Sequence, residues 1–124
     1  ATLTVRPDIQ LSNAYEMRLP LLWIGVLAGR TPASLAATTG VETPEDVVKY
    51  LLAGADVVMT TSSLLRHGID HMRVLVDGLT DWLSSRGLNS PADIRGRMSH
   101  ANVDNPEAYE RANYIKVLQD FDGL

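Results

Sequence analysis

Residues 40–68 read GVETPEDVVKYLLAGADVVMTTSSLLRHG, and the fold turns on how this stretch divides. Thr43 is placed to cap a helix and Pro44 to take its first position. Asp46, three residues past the cap, can return a carboxylate to the cap's own N–H. Val47, Val48, Leu51 and Leu52 then form one apolar stripe at helical spacing, and Gly54 ends it. ADVVMTT (55–61) follows at once, apolar and β-branched, and reads as a buried strand. Upstream, ASLAAT (33–38) is a shorter small-residue run consistent with another. Strand, helix and strand with short connections make a βαβ unit with parallel strands.

Working outward, residues 15–29 have helical character in their second half, with Pro20 near the start and Gly29 at a natural stop. In 70–86, Met72, Leu75, Val76, Leu79, Trp82 and Leu83 recur at helical spacing, and Gly87 closes the helix. Gly78 inside it costs roughly 1 kcal/mol against Ala, which points to close packing there. Ser90-Pro91-Ala92-Asp93 opens a short helix by the same cap logic. Asn105-Pro106-Glu107 opens another, with Ala108, Ala112, Ile115 and Leu118 as its apolar side. Leu3 and Val5 mark one short alternation near the start.

Composition narrows the function classes. The chain has 124 residues and a net charge of −4, a length that suits one domain. Its eleven Lys and Arg are scattered, so no nucleic-acid surface is suggested. Cysteine is absent, which excludes disulfides, thiol nucleophiles and Cys-ligated zinc and fits a cytoplasmic protein. The longest apolar run, LPLLWIGVLAG (19–29), is too short for a membrane span, and its position and flanks do not suit a signal peptide. The first residue is Ala rather than Met, consistent with processing or with a piece of something larger.

The two Thr-rich stretches, TTGVETP (38–44) and MTTSS (59–63), each follow a strand and precede a helix. In parallel α/β sheets, ligands sit beyond the C-terminal ends of the strands. Gly40 lets backbone approach a ligand or take a positive φ. Amides around Thr39, Gly40 and Val41, with those around Thr61, Ser62 and Ser63, would share a space between neighbouring strands. Neutral N–H and hydroxyl donors there suit a phosphate. Ordinary turn and cap chemistry explains the same residues, and both readings stand at this point.

The quoted stretch also resembles the C-terminal part of the dihydroorotate dehydrogenase family, the FMN-dependent (β/α)₈ enzymes, nearest to the dihydroorotate dehydrogenase-like branch of class 1. In that family a strand ends in a Gly-Gly pair, a helix runs to Ala-Gly-Ala, and the last strand ends in Gly-Thr. Here Thr39 and Gly40 stand for the glycine pair, Ala53-Gly54-Ala55 match, and Thr61 and Ser62 replace Gly-Thr. RLPLLWIGVLAGR (18–30) resembles the helix before the seventh strand, and SPADIRG (90–96) the closing segment. The resemblance covers roughly residues 15–96.

It implies an α/β fold that is the C-terminal portion, about half, of a (β/α)₈ barrel, helix-rich with short parallel strands. The single unit would hold partial barrel over 1–96 and a helical tail over 97–124. It implies FMN-phosphate binding at Thr39, Gly40, Thr61 and Ser62, in a flavoprotein oxidising dihydroorotate to orotate in pyrimidine biosynthesis. The family's catalytic base, flavin-contacting Lys and substrate-binding Asn residues lie mostly upstream, so no catalytic residue is assigned and the chain alone should be inactive. A whole barrel takes about 250 residues. A half barrel leaves a strand edge and an apolar face uncovered, so self-association or pairing with a missing N-terminal half is expected.

Other candidates carry less. His67 and His71 share metal-ligand spacing, but Gly68 intervenes and only Asp70 offers a third ligand, so no metal site is assigned. Asp104, Glu107, Glu110 and Asp120 read as a solvated face, Trp23 and Trp82 as packing residues, and Arg66 as a surface arginine within reach of an anion. Ser62 and Ser63 lack a nucleophile elbow. Two alternatives stay open: a non-catalytic truncated interaction protein, and a fragment of another phosphate-binding barrel enzyme.

Overall fold

The computed structural model describes residues 10–107. A turn of 3₁₀ helix at Ala14–Met17 leads into α1, Arg18–Leu27, followed by β1, Ala36–Ala37. Then come α2, Pro44–Ala53, and β2, Val57–Val58. Two further helices follow, α3, Ser62–His67, and α4, His71–Ser84, with a 3₁₀ turn at Pro91–Asp93. The strands pair in parallel, Ala36 opposite Val57 and Ala37 opposite Val58. This is the expected βαβ unit, a helix-rich α/β arrangement with a small parallel sheet.

The strands are shorter than the apolar runs that contain them. Ladder contacts end with the Met59 amide on the Ala37 carbonyl at 2.8 Å, where the threonines begin. Among the described residues these two strands make one two-stranded sheet, and the first expected alternation, at Leu3 and Val5, lies outside them.

Local chemistry sets the boundaries of α2. The Thr43 side chain accepts from the Asp46 amide, Asp46 answers the Thr43 amide at 3.0 Å, and Gly54 closes the helix at φ 119°. The last carbonyls of α2 are then used again: Leu51 accepts from the Gly96 amide and Leu52 from the Met98 amide, both at 2.9 Å. The His100 amide reaches the Gly25 carbonyl of α1 at 2.8 Å. Segment 96–100 is therefore bound to the ends of two helices, satisfying carbonyls that helix termini leave open.

One core cluster gathers Met17, Ala37, Val41, Tyr50, Ala55 and Leu75, and a second Val48, Leu51, Leu83 and Ile94. Gly78 of α4 meets Pro44 of α2 so closely that an added Cβ would overlap the proline ring. Near the start of β2, the Asp56 carboxylate accepts from the Leu35 amide at 2.8 Å and from Arg95 at 2.7 Å. The Leu35 amide first and the Arg95 guanidinium next hold its carboxyl below the usual aspartate range.

Half of the α4 stripe is covered. Leu75 and Leu83 are buried, whereas Met72 and Val76 remain 43% and 54% exposed. They border an apolar groove of about 260 Å³, whose other walls include Val47 and Leu51 of α2 and Val58 of β2. The helix expected to open at Asn105-Pro106 lies almost wholly outside the described residues. No helix among the described residues is long and apolar enough to cross a membrane.

Candidate functional site

Beyond β1 the chain makes two consecutive left-handed residues, Thr39 at φ 84° and Gly40 at φ 73°. Glycine adopts that conformation freely, but for a β-branched residue it is an outlier costing roughly 1–2 kcal/mol. Tyr50 braces it from α2. Its ring is fully buried and its hydroxyl lies 2.8 Å from the carbonyl oxygens of both Thr38 and Thr39, so one hydrogen is shared between two acceptors. Burial first, and the nearby Asp46 second, push the Tyr50 phenol up to about 12. Gly40 has no room for a side chain, since an added Cβ would stand 2.9 Å from the Asn13 carbonyl and 3.0 Å from Met17.

Beyond β2, the Thr60 hydroxyl donates to the Val41 carbonyl at 3.0 Å and lies 2.8 Å from the buried Ser63 hydroxyl. With the Thr60 hydrogen committed to a carbonyl, Ser63 is the donor between the two hydroxyls. This bond pair fixes the second strand end against the loop after the first.

The two expected halves meet through a residue from a third segment. The Ser12 hydroxyl accepts from the Gly40 amide at 3.4 Å and shares a 2.9 Å hydrogen bond with the Ser62 hydroxyl. The Ser12 amide donates back to Ser62 at 3.2 Å. Arg66, on α3, donates to the Ser12 and Leu11 carbonyls at 2.6 and 3.2 Å and pairs through its other terminal nitrogen with Glu42. Glu42 also meets His67 at 3.2 Å, while its carbonyl lies 2.8 Å from the His71 ring.

Of the four expected site residues, Gly40 and Ser62 thus converge on one point. Thr39 contributes to the same loop through its backbone. Thr61 is exposed, preceding α3 without a side-chain capping bond. The His67 and His71 rings lie beside Glu42 with centroids 4.7 Å apart and planes tilted by 38°. No group of three potential ligands that could hold a metal occurs among the described residues.

Ser12, Tyr50 and Glu42 escaped the sequence reading. Tyr50 carried a signal, because a tyrosine inside an apolar helical stripe needs a partner for its hydroxyl. Ser12 carried none, lying 28 residues from Gly40 and 50 from Ser62.

The Gly40 N–H and the hydroxyls of Ser12 and Ser62 are small, neutral groups gathered at one place, where they hydrogen-bond to one another. That chemistry fits a phosphate oxygen placed at the same strand ends.

No family model matches the sequence. Over 68 residues the chain is 37% identical to a putative dihydroorotate dehydrogenase A (fumarate) of Aeropyrum pernix, covering 55% of this chain and 22% of that protein. The chain resembles a segment of a dihydroorotate dehydrogenase. It is also 29% identical over 63 residues to a chloroplastic dihydropyrimidine dehydrogenase (NADP(+)) of Arabidopsis thaliana, covering 51% of this chain and 15% of that one. A third relative is the PreA subunit of an NAD-dependent dihydropyrimidine dehydrogenase of Escherichia coli, 26% identical over 76 residues, 61% of this chain and 18% of that one. Among solved structures, ligand-free DHODH from Eimeria tenella aligns at a TM-score of 0.46 with 32% identity, over 48% of this chain and 17% of that one. The dihydroorotate dehydrogenase match thus spans under a quarter of its relative's length.

Proposed function

We propose that this chain is the FMN-phosphate-binding, C-terminal portion of a (β/α)₈ dihydroorotate dehydrogenase-like flavoprotein. The observation that carries the reading is the backbone at Thr39-Gly40. Two successive residues hold a glycine-type conformation at a strand end, beside the end of the parallel partner strand. Gly40, Ser12 and Ser62 would hold the phosphate with neutral donors, and Thr39 and Thr61 would border it. FMN, when bound, supplies the two-electron acceptor for oxidation of dihydroorotate to orotate. One relative is named a dihydroorotate dehydrogenase and another a dihydropyrimidine dehydrogenase, in keeping with that substrate class.

The family's base and substrate-binding residues have no counterparts assigned here, so the chain alone binds without turning over. Titration of the purified chain with FMN, followed by flavin fluorescence and by absorbance near 450 nm, tests the reading. Saturable uptake supports it, and a chain that stays colourless and leaves the fluorescence unchanged overturns it.

A second reading, a non-catalytic interaction protein, is favoured by the exposed apolar surface. Leu19, Trp23 and Leu27 of α1 are 63%, 54% and 41% exposed, four residues apart on one helix. Under either reading this surface and the α4 groove are completed by association with another copy or with a missing N-terminal half.

A further inference from the structure

Three segments meet at the strand ends, 11–13, 39–42 and 61–66, and one side chain ties all three. Arg66 grips the Leu11 and Ser12 carbonyls and is itself held by Glu42. A cation beside a phosphate site is ordinarily read as the group that attracts the anion. Here its hydrogen bonds run to two carbonyls and a carboxylate, and the carboxylate offsets its charge. Ser12, the residue it fixes, is the one that faces Gly40 and Ser62.

We infer that Arg66 is a positioning residue: it sets phosphate affinity by fixing Ser12, while recognition is left to neutral donors. The inference rests on the proposed FMN reading and adds what that reading leaves open, how a cradle drawn from three distant segments keeps its shape. Arg66 suits the task because its planar fork serves two acceptors and a carboxylate at once, which a lysine cannot do.

A double-mutant cycle with FMN as the probe tests it. Ser12→Ala and Arg66→Gln should each weaken FMN binding by about five- to tenfold, the loss of roughly one hydrogen bond. If Arg66 acts through Ser12, adding Arg66→Gln to Ser12→Ala costs less than about twofold more. Losses that multiply overturn the inference.

Arg66→Lys keeps the charge without the fork, so it should bind FMN as weakly as Arg66→Gln. Wild-type affinity in that variant would show that charge, not positioning, matters. Raising salt from about 0.05 to 0.5 M should change wild-type affinity by less than about twofold, whereas a direct arginine–phosphate pair would weaken steeply. Amide exchange at Gly40 in the ligand-free protein should speed up in both single variants while exchange in α4 stays unchanged, which also shows that they fold. Unaltered Gly40 exchange counts against the tie. A wild-type chain that takes up no FMN overturns the functional reading and this inference with it. FMN uptake with multiplying losses removes the inference alone.

Discussion

Thr39 carries the tension of the site in one residue. A β-branched side chain sits at φ 84° in a loop whose next residue is a left-handed glycine. Thr39→Gly should therefore stabilise the protein by about 1 kcal/mol, the steric relief exceeding glycine's added flexibility in the unfolded chain. Thermal denaturation would register this as a rise of several degrees, and a fall in Tm would mean the threonine side chain contributes more than its backbone costs. Tyr50 supplies the opposing restraint. Its phenol is raised from 10.0 to about 12, so the folded state keeps a proton that the unfolded chain loses earlier. The stability that Tyr50 contributes is then complete below pH 10 and declines between pH 10 and about 12. Tyr50→Phe removes that decline from a pH series of denaturant melts, and at neutral pH it costs about 1–2 kcal/mol for the two deprived carbonyls.

At the scale of elements, α2 was almost fully legible, because capping box, N-terminal proline and glycine stop are written in adjacent residues. The parallel strand pair followed from it. The packing of α4 against α2 was legible only as a hint in Gly78, whose cause, the Pro44 ring, lies 34 residues earlier. This contact sets two effects against each other. On an open helix Gly78→Ala would gain about 1 kcal/mol of propensity. Here the methyl meets Pro44, so the variant should be less stable than wild type by chemical denaturation. A gain would mean that α2 and α4 can part without cost. The candidate site was half legible for the same reason: Gly40 and the serines stood out in short motifs, while Ser12 reaches them only through the tertiary fold. No local pattern could have joined residues from three segments.

For the molecule as a whole, exposed apolar side chains gather on two elements, α1 and α4. Among the described residues the α1 ridge and the α4 groove are both apolar and open, and exposed apolar surface of this kind favours association. Sedimentation at micromolar concentration should show species heavier than the 13.5 kDa monomer. A single sharp monomer boundary would show that the exposed ridge and groove remain solvated. Charged replacement of Trp23 on the ridge is the corresponding variant, and it should shift the distribution toward monomer.

The Asp56 tie gives the strand pair two chemically distinct ends. Its carboxyl is held below the ordinary aspartate value, so the stability it lends is present above about pH 4 and drains away as acid titrates the folded group. Tyr50 titrates at the other extreme, beyond the opposite strand end. Acid should thus loosen the starts of the strands, with segment 90–100 behind Arg95, and alkali the loop that holds Thr39. Melting from the two sides of the pH scale would open the same small sheet from opposite directions.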